Sequence, residues 1–163
     1  DINKVKKENT KIVITNDLEE RTLNLGFKKE NITIVEPNMK YKIDEIEIET
    51  IPSYNISKQF HPKENNWVGY ILKINNIKYY IAGDTDITEE NKKVECDVAF
   101  LPVGGTYTMN SKEAAELANI INPKIVVPVH YGCIVGTKED AEHFKAMLNK
   151  NIRCQIIIKE EKL

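Results

Sequence analysis

At 163 residues the chain can bury one core, and its 41% hydrophobic and 29% charged content is that of an ordinary globular domain. A net charge of -2, with lysines and glutamates interspersed, leaves no basic face for nucleic acid, and no apolar run has membrane-spanning length. The three cysteines, Cys96, Cys133 and Cys154, are odd in number and widely spaced, which points to free thiols in a reducing, cytoplasmic setting.

In chain order, residues 2–8 read as the end of a helix and residues 11–15 as a short strand. Asn16 is placed to cap a helix running to Leu25, with Gly26 as its stop. A strand over 32–35 closes on the turn Glu36-Pro37-Asn38, and the alternation of Ile46, Ile48 and Thr50 predicts a half-buried strand. Residues 67–74 and 77–82 flank Asn75-Asn76, a spacing that predicts a β-hairpin. Residues 98–103 form a buried-looking strand. Asn110 then caps a helix to Ile121, with Glu113 completing a capping box. A strand over 125–130, a helix over 137–150 and a strand over 154–158 complete the series. The order, hairpins first and strand–helix alternation after, predicts an α/β domain over residues 1–163 with helices outside its sheet. Residues 52–66 are the longest irregular stretch, and a loop of that length is more often functional than idle.

Two apolar runs stop abruptly on metal-competent side chains. Ile81-Ala82-Gly83 ends on Asp84, and Ile125-Val126-Val127-Pro128-Val129 ends on His130. A strand that ends in this way places its carboxylate or imidazole at the carboxyl edge of a sheet, where open α/β sheets bind ligands. Gly-Asp and Asp-Thr are also ordinary turn pairs, and a histidine at a strand end is also a common structural residue. On the residues alone both readings stand. Pro128 implies that its strand lies at an edge or is finishing there. His61, inside the long loop, is a third candidate ligand. Asp86 reads as a cap near Thr88, His143 as a helix-surface residue, and Trp67 and Tyr70 as hairpin core. Gly104-Gly105-Thr106 is either a loop that presents N–H groups to an anion or a plain turn before a helix. No Gly-x-Ser-x-Gly nucleophile elbow is present.

Taken together, residues 81–86, the stretch Leu101-Pro102-Val103-Gly104-Gly105-Thr106-Tyr107-Thr108-Met109 and the run Pro128-Val129-His130-Tyr131-Gly132 resemble the metallo-β-lactamase superfamily. The likeness is to its branch of metal-dependent hydrolases that includes sugar lactonases. It covers the chain from about residue 11 onward and is strongest over residues 79–132. It implies an αββα sandwich, incomplete here at its N-terminal side, because the family's His-x-His-x-Asp-His motif is not among these residues and is expected just before residue 1. It also implies a divalent metal, zinc first and manganese or iron next, with up to two ions in the full-length protein. Asp84 takes the role of bridging ligand, His130 that of a ligand to the second ion, and His61 completes the first site. The segment that often carries this last histidine has Asn55 instead, so Asn55 is expected to support His61 or to face substrate. Thr106 and Tyr107 are expected to touch a small-molecule substrate. The implied reaction is attack of a metal-bound hydroxide on an ester, lactone or phosphodiester-type centre, with Asp84 and His130 as its catalytic residues. Residues 1–163 alone are expected to be inactive and to associate through an exposed sheet face, as a homo-oligomer or otherwise. Two other readings remain: a non-catalytic binding or assembly module of the same fold, and an unrelated α/β ligand-binding domain.

Overall fold

Alternating apolar residues along the middle of the chain build a seven-stranded sheet. The computed structural model describes residues 2–157. A short helix α1 (Ile2–Val5) leads to β1 (Ile12–Ile14), α2 (Glu19–Asn24) and β2 (Ile32–Ile34), with β1 and β2 pairing in parallel as a two-stranded sheet. The large sheet follows: β3 (Lys40–Ile43), β4 (Ile46–Pro52), β5 (Val68–Ile74), β6 (Ile77–Ile81), β7 (Val98–Pro102), β8 (Ile125–Val129) and β9 (Arg153–Cys154). Their spatial order is their sequence order. Pairing is antiparallel from β3 to β6 and parallel from β6 to β9. The helices α3 (Ser111–Ile121) and α4 (Lys138–Ala146) are the crossovers for the last two parallel pairs, while β6 reaches β7 through a segment with a 3₁₀ turn (Asn91–Lys93).

One sheet face forms the core. Ile71, Tyr80, Ala99, Leu101 and Val126 pack there with Ala114, Leu117 and Ala118 of α3 and Phe144 of α4. These helix positions recur three and four apart, the spacing that gathers them on one stripe. Full burial of a side chain the size of Leu or Phe stabilises by roughly 1.5–3 kcal/mol, so this layer holds the frame of the site. The opposite face is also apolar but less completely covered. There β1 lies across from β4–β6, and Val13, Ile48, Tyr70, Leu72 and Ile81 line a cleft of about 400 Å³. Ile77 and Ile81 on this face are each 40% exposed.

The hairpin, the α3 helix and the central strands form where the sequence places them. Asn75 (φ 51°) and Asn76 (φ 63°) both adopt the left-handed conformation that a two-residue hairpin turn requires. Asn110 and Glu113 form the capping box, with reciprocal hydrogen bonds of 2.9 and 2.8 Å. Pro128 does not lie on an edge strand, since β9 flanks β8. However, β9 pairs only with Ile125 and Val126, so the proline sits beyond the end of its neighbour and no ladder bond is lost.

Other elements differ. Strand β3 was not expected, because Lys40-Tyr41-Lys42-Ile43 is half charged and turns through Asp44-Glu45 without a glycine. Asp44 supplies the positive φ of 52° instead. Asn16 does not cap a helix: it opens a 3₁₀ turn (Asn16–Leu18), and the Thr15 hydroxyl bonds the Asp17 carboxylate at 2.6 Å. Asp86 is not a helix cap. Its carboxylate binds the Ile56 N–H and the Lys58 ammonium, while Thr88 and Asn91 cap each other's backbone. The expected last strand ends early, and Ile158 lies outside the described residues, as does Asp1. Among the described residues no helix is long and apolar enough to cross a membrane.

Candidate functional site

Strand β6 delivers Asp84 through Gly83, whose φ of +68° turns the chain sharply as it leaves the sheet. The Ser53 hydroxyl lies 3.0 Å from the carbonyl oxygens of both Ala82 and Asp84 and secures the backbone on either side of that turn. A Cβ at position 83 would stand 3.2 Å from the same hydroxyl. The Asp84 side chain is 38% exposed at the sheet edge.

Two histidines approach it from different loops. Nε2 of His61 is 3.2 Å from Asp84 Oδ2, and Nε2 of His130 is 3.5 Å from the same oxygen. Among the described residues no trio of His, Cys, Asp or Glu is assembled as a ready metal cage. What the fold provides is two His–Asp pairs sharing one carboxylate oxygen.

His130 follows β8 directly and has φ 58°, a left-handed conformation that costs a non-glycine residue roughly 1–2 kcal/mol. Strain of this kind concentrates at functional sites. Gly104 makes room for it: a Cβ there would fall 2.2 Å from the His130 carbonyl oxygen. The Tyr107 ring stands edge-on to the His130 ring, with centroids 6.5 Å apart.

His61 is held by polar contacts. Asn55 is buried, and both ends of its amide bond protein groups. Its Nδ2 donates to the Tyr107 carbonyl at 3.0 Å, and its Oδ1 accepts from the His61 backbone N–H at 3.1 Å. These two bonds fix which end of the amide is oxygen. That oxygen also lies 3.2 Å from His61 Nδ1, placed to accept a hydrogen bond from it, with the other ring nitrogen, Nε2, facing Asp84. The structure places the Asn55 amide against the His61 ring and the Tyr107 carbonyl.

The loop around His61 is latched to the segment after Asp84. The Tyr54 hydroxyl donates to Glu90 at 2.9 Å, and Lys63 bonds Glu90 at 2.8 Å. Hydrogen bonding from Lys63 holds the Glu90 carboxyl down to about 2, against the raising effect of burial and with help from Tyr54. Sequence reasoning missed Glu90 and Tyr54 and gave Asp86 another role, because their spacing carries no motif and their partners are far along the chain. Trp67 is not simply hairpin core: its ring contacts His61 edge-on at 5.5 Å, and its N–H bonds Asp17.

Thr106 is exposed beside the site. Two N–H groups of the loop are engaged within it: Gly105 N–H donates to the Met109 carbonyl and Thr106 N–H to that of Gly104. His143 lies on the exposed face of α4. Burial pushes the thiols of Cys96 and Cys154 up to about 12 and about 11, while Cys133 is exposed near His130.

A family model described as a beta-lactamase superfamily domain matches residues 3–130. A UPF0173 metal-dependent hydrolase of Pyrococcus furiosus is 32% identical over 127 residues, covering 75% of this chain and 56% of its own length. A counterpart from Thermococcus kodakarensis is 33% identical over 126 residues, covering 74% and 56%. The chain thus spans a little over half the length of these relatives. Among solved structures, a candidate metal-dependent hydrolase from Parabacteroides distasonis superposes with a TM-score of 0.76 at 34% identity, covering 95% of this chain and 67% of its own. Igni18, a metallo hydrolase from Ignicoccus hospitalis, shares the fold with a TM-score of 0.73 at 22% identity, covering 93% and 66%.

Proposed function

We propose, from the premise that the chain belongs to the metallo-β-lactamase superfamily, that it carries part of the active site of a metal-dependent hydrolase. Asp84, His61 and His130 are its metal ligands in this reading. Membership sets aside the alternative of an unrelated α/β ligand-binding domain.

The observation that carries the proposal is the convergence of two imidazoles on one carboxylate oxygen: Nε2 of His61 and Nε2 of His130 lie 3.2 and 3.5 Å from Asp84 Oδ2. Asn55 Oδ1, 3.2 Å from His61 Nδ1, supports the ring in this orientation. The spacing suits an ion: two donors bound at about 2.1 Å in a tetrahedral arrangement stand about 3.4 Å apart. The distances of 3.2 and 3.5 Å to the shared Oδ2 bracket that value. Both distances run to one oxygen, so Asp84, His61 and His130 would be donors to a shared centre of one or two ions. Imidazole and carboxylate suit zinc, with manganese or iron as alternatives.

When bound, the ion polarises the scissile carbonyl or phosphoryl group and makes water nucleophilic near neutral pH. The chain's own residues then have distinct tasks. Asp84 supplies negative charge that balances the ions, Asn55 orients His61, and Gly104 and Gly83 let the two loops meet at the sheet edge. Thr106 and Tyr107 border the space left for a small-molecule ester, lactone or phosphodiester. The remaining donors are proposed to come from the family's His-x-His-x-Asp-His motif, which is not among the 163 residues. Further parts of the proposal are a cytoplasmic setting, inferred from the free thiols, and self-association through the half-covered sheet face.

A second reading, a binding or assembly module without catalysis, is favoured by the lack of a closed three-donor cage among the described residues. The deciding experiment is metal analysis and a hydrolysis screen on the complete gene product, beside its Asp84→Asn and His143→Ala variants. The hydrolase reading expects bound zinc and turnover that both collapse in Asp84→Asn and survive in His143→Ala. Bound metal without turnover on any ester, lactone or phosphodiester would favour the binding module. Metal content unchanged in Asp84→Asn would remove the proposed centre.

A further inference from the structure

Among the described residues, the pocket beside His130 is lined by apolar and aromatic side chains and by no lysine or arginine. Tyr107, His130, Tyr131, Cys133, Ile134 and Val135 line a pocket of about 220 Å³. Two large apolar side chains stand uncovered at this end of the site: Ile134 is 86% exposed and Phe60 45% exposed. Phe60 is not isolated, since it packs edge-on against Tyr107 with ring centroids 4.7 Å apart. Tyr107 therefore joins Phe60 to the pocket wall, and the pocket opens directly beside a proposed metal ligand. Scattered exposed apolar residues need no explanation, but a group of them around one concavity marks a binding surface.

The wall is constructed by the fold. Gly132 N–H donates to the Gly136 carbonyl at 3.1 Å and closes the loop that presents Ile134. The same loop packs on Gly104, where a Cβ would stand 3.0 Å from Val135 Cγ2.

Beside the proposed metal centre, the protein's own cationic and N–H groups near this pocket are engaged elsewhere. No lysine or arginine lines this pocket or the adjoining one on the His61 side, which instead carries the Asp17 carboxylate. Lys58 and Lys63, the lysines of the loop that carries His61, are paired with Asp86 and Glu90. The Gly105 and Thr106 N–H groups bond within their own loop.

We infer that the substrate is uncharged where it is recognised and lodges an alkyl or aryl group between Phe60, Tyr107 and Ile134, beside His130. The inference rests on the hydrolytic centre proposed above and narrows its substrates to apolar esters or lactones over phosphodiesters.

The test pairs two aryl probes on the complete gene product: benzylacetone, an uncharged ketone that cannot be hydrolysed, and phenyl phosphate. Binding is followed by NMR at the Ile134 methyl resonances and by titration. Turnover of phenyl butyrate is measured separately. Benzylacetone should shift the Ile134 signal and bind more tightly than phenyl phosphate. Ile134→Asn, at a site too exposed to affect folding, and Phe60→Ser should each weaken it roughly tenfold, the scale set by losing partial burial of such a side chain. Their loss on phenyl butyrate should fall in KM rather than kcat. Tighter binding of phenyl phosphate, or unchanged benzylacetone affinity in both variants, would overturn the inference. If benzylacetone binds and both variants lose it while no ester is turned over, the apolar site stands and the hydrolase reading falls. Turnover with KM unchanged in both variants gives the reverse.

Discussion

The loops that bring His61 and His130 to one carboxylate oxygen work by different means. The 53–66 loop is polar and externally tied. Asn55 holds the His61 ring, Asp86 takes the Ile56 N–H and the Lys58 ammonium, and Glu90 gathers Tyr54 and Lys63. The 130–136 loop has little of this. Its histidine is aimed by backbone geometry, a φ of 58° reached straight from β8, and by close packing on Gly104. A long loop has no neighbouring strand to set its direction, so side-chain bonds must do so. A residue one step from a strand end inherits its direction and needs only room.

Each prediction tests that contrast, on the complete gene product. The largest effect should come from the ligands themselves. His61→Ala and His130→Ala should each lower zinc affinity and turnover by more than about a hundredfold, since losing a partner of a ligand already costs 10–100-fold. Isothermal titration and kinetics would show this, and a normal His61→Ala would reduce the polar loop to a structural feature. Next comes the support of His61. Asn55→Ala should weaken zinc binding by about 10–100-fold while leaving His130 in place; an unchanged affinity would mean that the ring is not held by this amide.

The packed loop should respond to volume instead of polarity. Gly104→Ala forces a methyl to within 2.2 Å of the His130 carbonyl oxygen, and overpacking of this kind costs about 1–3 kcal/mol. Thermal denaturation should show a Tm lower by several degrees. A Tm equal to wild type would show that the loop is not confined there.

The smallest effect concerns the latch. Because the folded Glu90 pKa is about 2, below its ordinary 4.5, its contribution is fully present above 4.5 and fades as pH falls toward 2. Glu90→Gln should cost about 0.5–1 kcal/mol at neutral pH, discounted for an exposed ion pair. The difference from wild type should shrink below pH 4.5. A gap independent of pH in denaturant melts would mean that charge is not what ties this loop.

How much of this could be read in the residues follows the same division. The hairpin over Asn75-Asn76 and the Asn110–Glu113 capping box are local devices whose chemistry is complete within a few residues, and both formed as expected. The apolar runs into Asp84 and His130 carried the superfamily resemblance. Strand β3 was hidden because an edge strand needs only a half-apolar alternation, and its turn uses Asp44 where a glycine would have been noticed. Asp86 looked like a cap because its partners, Ile56 and Lys58, lie about 30 residues earlier.

The sequence by itself determined the superfamily, the two strand-end residues and the strand and helix order apart from β3 and the 3₁₀ turn at Asn16, because these depend on periodicity and on chemistry at fixed short spacings. Only the tertiary structure decided the rest. It showed that His61 and His130 reach the same oxygen, that the Asn55 amide lies against the His61 ring, and that the Gly105 and Thr106 N–H groups bond within their own loop. Those outcomes are set by which distant groups the packed sheet edge brings within a few ångströms of one another.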